Sequence, residues 1–185
     1  MKEKRYLALL RGINVGGKNI IKMAELKACF EAIGLTDVAT FIQSGNVLFT
    51  GRDDKSQTTA KIEKTLSRRF KYNSRVVVVS YNELRGVGTH APKGFGDNPA
   101  TFRYDVVFLK DPLTAQTAIK SISTKDGVDA AFPGRGVIYF SRLAERASQS
   151  HLSRVVQLPI YQHMTIRNWN TTTKLIALME AGKER

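Results

Sequence analysis

The order of apolar patterns in the first eighty residues constrains the fold more than any other feature of the sequence. A hydrophobic run at residues 6–10 precedes apolar residues at helical spacing, and short strand-like runs at 38–42 and 47–49 come next. A second helical pattern then leads into residues 75–80, whose four consecutive valines are typical of a strand buried on both faces. The predicted order is β-α-β-β-α-β, the split βαβ arrangement.

The two helical patterns in this region differ in their outer faces. The first begins near Lys22 and stops at Gly34. Its apolar positions are Met23, Leu26, Cys29, Phe30 and Ile33. The second turns Ile62, Leu66 and Phe70 inward and carries a strongly basic outer face. That face consists of Lys61, Lys64, Arg68, Arg69 and Lys71.

A similar pattern begins again after residue 103. Strands are predicted at 104–109, 127–131 and 137–140, helices at 113–122 and 151–156, and an extended segment followed by a helix at 164–181. The predicted fold class is α+β, with two ferredoxin-like α/β plaits packed together. We expect one plait at residues 1–81, a glycine- and proline-rich linker at 82–103, and an incomplete plait with a terminal helix at 104–185.

The net charge is the strongest compositional signal. The chain has 29 Lys and Arg residues against 16 Asp and Glu, for a formal charge of +13. The excess is spread along the chain, which argues against a disordered basic tail and is compatible with a folded basic face. Such a charge attracts polyanions, although a basic, solvated surface without a specific partner gives the same composition.

Cysteine usage and hydropathy exclude several classes of protein, namely disulfide-bonded, metal-thiolate, membrane-spanning and secreted proteins. A lone Cys29 allows no intrachain disulfide and no thiolate metal site, and the three histidines lack metal-ligand spacing. No apolar run approaches the length of a membrane span, and the apolar part of the N-terminus is too short for a secretory signal. We therefore expect a cytoplasmic protein without membrane contact, metal or cofactor.

The glycine-rich loop after the first strand is the first candidate site. Residues 12–18 match the pattern G-x-x-x-x-G-K, but Asn19 stands where a serine or threonine would ligate magnesium. Phosphoryl transfer is therefore disfavoured. A looser anion nest at Gly16, Gly17 and Lys18, beside Arg11, is one interpretation. Glycines that let a strand reverse tightly into a helix are the other.

The segment TIRNWNTTTK at residues 165–174 is the second candidate. Asn168, Asn170 and Thr171 can each cap the final helix, and one of them is enough for capping. Arg167 and Lys174 oppose the helix dipole unless an anion lies between them. Trp169 either packs in the core, which we favour, or stacks on a ligand ring.

The turn QSGN at residues 43–46 is the third candidate. It is either an ordinary hairpin turn or a polar edge facing the glycine-rich loop, because the first and third strands are neighbours in a split βαβ sheet. The complete set of candidate anion- or ligand-binding residues is Arg11, Gly12, Asn14, Gly16, Gly17, Lys18, Gln43, Ser44, Asn46, Arg167, Asn168, Asn170, Thr171 and Lys174.

Four segments together resemble a known bacterial family. LALLRGINVGGKN, MAELK, FIQSGNVLF and MTIRNWNTTTKL are similar to the motifs of the family called domain of unknown function 1697. The resemblance implies two ferredoxin-like α/β subdomains, and it implies no established activity, substrate or catalytic residue. It also implies that the three candidate clusters are this chain's versions of the family motifs.

Two functional hypotheses follow, and no catalytic constellation is recognisable for either. The leading hypothesis is a binding protein whose basic face recognises RNA or DNA backbone. Neither residues 6–9 nor 75–79 carries the aromatic pairs of an RNA-recognition sheet. The rival is an enzyme or sensor that holds a small phosphorylated or carboxylated metabolite between the glycine-rich loop, the 43–46 turn and the cap of the final helix. A structural partner protein would instead expose a large apolar patch.

Overall fold

The computed structural model describes residues 3–14, 16 and 19–182. It has an α+β architecture with two four-stranded antiparallel sheets. The chain divides into two compact units. The first comprises the described residues of Met1–Asn82 and Met179–Arg185, and the second comprises Glu83–Leu178.

The first unit follows the predicted order of strands and helices. Its elements are β1 (Lys4–Leu10), α1 (Met23–Glu31), β2 (Thr36–Phe41), β3 (Asn46–Gly51), α2 (Lys55–Phe70) and β4 (Val76–Ser80). The sheet order is β2-β3-β1-β4, so β1 lies between β3 and β4. Leu7 of β1 pairs with Leu48 of β3 on one side and with Val79 of β4 on the other. The β-α-β-β-α-β order of elements predicted from the apolar pattern is confirmed for this unit.

Both faces of the first sheet are apolar. On the helix-covered face, Ala8 and Phe49 pack with Leu26 and Phe30 of α1 and with Leu66 of α2. The other face carries aliphatic side chains that are at most 9% exposed. These are Leu7, Leu9, Leu48, Val77 and Val79. Phe41 of the edge strand β2 also lies on this face and is partly exposed, whereas the two central strands β1 and β3 carry no aromatic ring there. An RNA-recognition sheet stacks two or three bases on aromatic rings of its strands.

The segment expected as a linker begins with a helix, α3 (Tyr81–Thr89). The prediction of a loop from residue 82 is therefore wrong for the first part of the segment. Leu84 and Val87 are buried, three residues apart on one helical face. Gly88 allows α3 to pack closely against the Ile176 side chain, because a Cβ at position 88 would lie 2.9 Å from that side chain. The burial of this face outweighs the low helix propensity of glycine.

The second unit has the same sheet order as the first. Its further elements are β5 (Phe102–Leu109), α4 (Ala115–Ala118) with a 3₁₀ turn at Ile119–Ser121, β6 (Asp129–Pro133), β7 (Val137–Leu143), α5 (Leu152–Val155), β8 (Met164–Asn168) and α6 (Trp169–Ala181). The strands run in the order β6-β7-β5-β8. The core between sheet and helices includes Val107, Phe140, Leu152 and Met164.

Two expectations for this unit need correction. The unit is not incomplete, because β8 pairs antiparallel with β5 and supplies the fourth strand. The sequence indicated only a short extended segment there, since its partner strand lies some sixty residues earlier in the chain. The β6 strand is also displaced from the predicted 127–131, because Gly127 adopts a positive φ of 65° and forms a turn.

Candidate functional site

Asn14 is the centre of the glycine-rich loop. Its Nδ2 donates to the carbonyl oxygens of Ile21 (3.1 Å) and Gln43 (2.9 Å), and its Oδ1 accepts from the Ile21 N–H (2.8 Å). The residue has a positive φ of 53°, which asparagine tolerates better than most side chains. One amide therefore closes the loop on itself and ties it to the turn after β2. We call residues 11–14, 19–21 and 42–46 the loop–turn clamp.

Asn19, the residue that departs from the magnesium-binding pattern, also has a role inside the clamp. Its Nδ2 donates to the Gly12 carbonyl oxygen at 2.9 Å. The following helix starts at Met23 with Lys22 as its N-cap residue, as predicted, so its N-terminus does not adjoin the glycines. Gly16 is exposed with φ of 59°. Gly17 and Lys18, the other two members of the expected nest, lie outside the described residues.

The 43–46 turn is in contact with the loop, as the second of its two interpretations expected. The Leu10 N–H donates to the Gly45 carbonyl oxygen at 2.8 Å. Gly45 has φ of 75°, and a Cβ on it would lie 2.8 Å from Cβ of Leu10 and from Cδ1 of Ile13. Asn46 is fully buried, and its Nδ2 donates to the Phe41 carbonyl and to Oγ of Ser44. The turn thus packs too closely on the loop for any residue but glycine at position 45.

The third candidate cluster lies in the second unit and caps α6. Oδ1 of Asn168 accepts from the Thr171 N–H at 2.7 Å, so Asn168 performs the capping that the sequence assigned to one of three residues. The Thr172 hydroxyl donates to the Asn168 carbonyl at 3.0 Å. Thr171 is buried, whereas Asn170 and Lys174 are exposed. Most of this cluster is explained by the start of a helix.

Arg167 does not share the cap with these residues. It lies in β8, where neighbouring side chains point to opposite faces, and it pairs with Val106 of β5. It is 8% exposed, and its Nη1 donates to Oγ1 of Thr165 and to the Ile166 carbonyl, both at 2.8 Å. Burial lowers the pKa of Arg167 to about 10. The expectation of an anion between Arg167 and Lys174 stays a prediction, and the structure shows that Arg167 is buried in β8 whereas Lys174 is exposed on α6.

Trp169 packs within the second unit, in agreement with the favoured interpretation. Its ring meets Phe95 edge-to-face at a centroid distance of 5.1 Å. Phe95 also contacts Tyr104 and Tyr139 edge-to-face. Gly96, with φ of 95°, leaves no room for a Cβ beside the indole. These aromatic rings contact one another edge-to-face and form part of the packing of the second unit.

The outer face of α2 behaves differently from the three clusters. Lys64, Arg68, Arg69 and Lys71 are exposed, and their side chains make no ion pair or hydrogen bond with any residue in the described ranges. Lys61, one turn earlier, is paired with Asp53. The four cations lie on the last two turns of α2, and Lys71 ends the helix in a left-handed conformation. These four cations belong to the basic outer face predicted for this helix, and none of them is among the predicted site residues.

A groove runs beside this basic face, between α2 and α1. Its volume is about 670 Å³, within the range of small-ligand sites. The α2 side contributes Lys64, Thr65, Arg68 and Arg69, and the α1 side contributes Glu25, Ala28, Cys29 and Ala32. Sequence reasoning missed the groove, although two alanines four residues apart on the outer side of α1 were the available signal.

Cys29 lies at the floor of this groove and belongs to the core. It is 8% exposed and packs in the same cluster as Leu26 and Phe30, as the sequence indicated. Burial raises the pKa of the Cys29 thiol, the nearby Arg69 charge lowers it, and Glu25 raises it. A thiol with a raised pKa is a poor nucleophile at neutral pH.

Within the described ranges, no three His, Cys, Asp or Glu side chains come together in a way that could hold a metal ion. The same ranges contain no helix with the length and apolar character needed to cross a bilayer. The loop–turn clamp lies in the first unit, and the cap of α6 lies in the second.

The chain is similar to a family of proteins of unknown function and to a solved bacterial protein structure. A family model described as a protein of unknown function (DUF1697) matches residues 3–139. The C-terminal segment TIRNWNTTTKL lies beyond this match. A solved structure of a conserved bacterial protein from Streptococcus pneumoniae is similar, with a TM-score of 0.82 and 28% identity, and the match covers 96% of this chain and 99% of that one. Among curated proteins, nothing matches.

Proposed function

For this chain, which belongs to the DUF1697 family of proteins of unknown function, we propose binding of a nucleic-acid backbone along the basic face of α2. The observation that carries the proposal is the set of four exposed cations at the C-terminal end of α2 that have no partner among the described residues. Unpaired surface lysines and arginines attract phosphates and release the counterions condensed on a nucleic acid.

The spacing along α2 suits a linear anion. Lys64 and Arg68 are four residues apart, which places them about one turn, or about 6 Å, apart along the helix. Arg69 and Lys71 extend the positive charge to the end of the helix. The residues of the loop–turn clamp do not offer an equivalent surface, because the amides of Asn14, Asn19 and Asn46 bond within the clamp.

We further propose that each unit is a ferredoxin-like α/β plait. The order β-α-β-β-α-β and a sheet in which the first strand lies between the third and the fourth support this assignment in both units. Proteins of this architecture that bind RNA use the open face of the sheet. On that face of the first sheet, strands β1, β3 and β4 carry the buried aliphatic residues Leu7, Leu9, Leu48, Val77 and Val79, which favours the helical side of the unit instead.

The test is fluorescence anisotropy with labelled single-stranded RNA and duplex DNA at about 50 and 200 mM salt. If three or four phosphates are neutralised, the affinity of the wild-type protein is expected to fall by about 20- to 150-fold between these concentrations. A variant with four substitutions is expected to lose most of the binding and most of the salt dependence. The substitutions are Lys64→Gln, Arg68→Gln, Arg69→Gln and Lys71→Gln.

A matched control removes the same charge from exposed positions elsewhere. It carries Lys93→Gln, Lys120→Gln, Arg135→Gln and Arg154→Gln. Equal loss of affinity in both variants would show that net charge alone attracts the nucleic acid, and it would refute a site on α2. Absence of binding by the wild-type protein at 50 mM salt would also refute the proposal and leave a small anionic metabolite as the better hypothesis.

A further inference from the structure

The groove between α1 and α2 has two chemically different walls. Every cation that lines it comes from α2, namely Lys64, Arg68 and Arg69. The α1 wall provides the apolar surface of Ala28 and Ala32 together with one carboxylate. The floor is the nearly buried Cys29. A ligand that fits this groove is anionic along one side and has an apolar face on the other.

We propose that the groove accepts a base of a single-stranded nucleic acid whose phosphates lie along α2. This inference rests on the proposed function and specifies the form of nucleic acid. The carboxylate of Glu25 disfavours a phosphate at the α1 wall, so the backbone follows the cations of α2 and the base points towards the alanines. A base in a duplex is stacked and paired, and it cannot enter such a groove without being flipped out.

The dimensions favour a nucleotide over a protein segment. A volume of about 670 Å³ is that of a small-molecule site. A docked α-helix is about 10–12 Å across with its side chains, and an acidic helix would meet the Glu25 carboxylate on the α1 wall. The small side chains at positions 28 and 32 leave open the space that larger residues would fill.

Three probes separate backbone from base recognition. They are a twelve-nucleotide oligothymidylate, an abasic strand of the same length, and a twelve-base-pair duplex. We expect the oligothymidylate to bind about five- to tenfold more tightly than the abasic strand. The reason is that one face of a base is transferred from water to the apolar wall of the groove when the intact strand binds. Equal affinities for the intact and abasic strands would overturn the inference while leaving the proposed function standing. Absence of binding by all three probes would refute both.

The substitution Ala28→Leu fills the α1 wall without changing the charge. It is expected to abolish the preference for the intact strand and to leave binding of the abasic strand within twofold of wild type. Ala24→Leu is the matched control, because Ala24 is exposed on α1 and does not line the groove. An unchanged preference in Ala28→Leu, or an equal loss in both variants, would place the base elsewhere.

Cys29, the only cysteine in the chain, reports directly on occupation of the groove. Saturating oligothymidylate is expected to slow the alkylation of Cys29 by iodoacetamide, measured by intact mass, by about fivefold or more, whereas the abasic strand is expected to change it less than twofold. An unchanged rate under saturating oligothymidylate would refute the placement of the base. Displacement of oligothymidylate by an equally charged polyglutamate peptide would refute the choice of nucleic acid as the occupant.

Discussion

The loop–turn clamp and the basic face of α2 both carry conspicuous polar side chains, and they use them in opposite ways. In the clamp, Asn14, Asn19 and Asn46 donate to backbone carbonyls of the same unit. On α2, Lys64, Arg68 and Arg69 project into solvent, and their side chains bond to no residue in the described part of the chain. The glycine-rich loop and the 43–46 turn therefore hold the backbone of the first unit together, whereas the surface proposed here for a ligand lies on α2.

The two units show a related contrast. Their sheets have the same strand order, but the first is covered by helices of 9 and 16 residues, whereas α4 and α5 of the second have four residues each. A helix of 16 residues can bury Ile62 and Leu66 and still present a charged outer face several turns long. The short helices of the second unit offer no comparable outer surface. Two units with the same strand order can therefore differ in the helical surface that they expose to solvent.

The largest effect is expected at the closest contact in the clamp. Gly45→Ala forces a side chain into a positive φ and into the space held by Leu10 and Ile13. We expect a loss of about 2–4 kcal/mol in the free energy of unfolding, measured by urea denaturation. Gly12→Ala is the control, because Gly12 has φ of 66° but open space around its Cβ position, and it should cost about 1 kcal/mol. Equal costs at the two positions would contradict the close packing of turn and loop.

A smaller effect is expected for Asn14→Asp. The substitution keeps the acceptor for the Ile21 N–H but places a carboxylate oxygen against the carbonyls of Ile21 and Gln43. We expect a loss of about 1–3 kcal/mol by the same measurement. The exposed Asn170, in the first turn of α6, provides the control, because Asn170→Asp should change stability by less than about 0.5 kcal/mol. A neutral Asn14→Asp would show that the amide does not hold the clamp together.

The smallest effect is expected at the basic face of α2, where charged side chains line the groove and change the reactivity of Cys29. Burial raises the pKa of Cys29, Arg69 lowers it, and Glu25 raises it. Because alkylation requires the thiolate, the rate at pH 8 should lie below that of an exposed thiol and should rise with pH. Arg69→Gln should slow alkylation about two- to threefold at this pH, and Glu25→Gln should accelerate it by a similar factor. Changes of the same sign in both variants would show that these charges do not face the thiol.

Much of the fold could be predicted from the sequence, because the signals are local. Apolar spacing predicted the element order of the first unit and a start of α1 near Lys22, which is the N-cap residue before Met23. The same reasoning missed α3, whose glycines are typical of a loop until the burial of Leu84 and Val87 is known. It predicted the extended segment at residue 164 but not its place as the fourth strand of the second sheet, since the pairing of β8 with β5 joins distant parts of the chain.

The candidate site was predicted less well than the fold. Contact between the glycine-rich loop and the 43–46 turn was only the alternative to an ordinary hairpin turn in the sequence-based interpretation, and the structure shows this contact. The sequence correctly favoured packing for Trp169. It placed Arg167 beside Lys174 at a helix cap, whereas strand alternation buries Arg167 against β5. The groove beside α2 was missed, because the only local signal was the pair of alanines on α1 and the groove itself depends on how two helices lie next to each other.

The sequence by itself determined the strands and helices of the first unit and the apolar side of its two helices, because periodicity and turn propensity act over a few neighbouring residues. Only the tertiary structure decided which polar side chains bond inside the protein and which remain available to a ligand. Asn14 is bonded because Gln43, 29 residues away in the chain, comes within 2.9 Å of it. Arg68 remains available because none of the described acidic residues pairs with it. Folding assigns these partners, and the residue types alone do not reveal them.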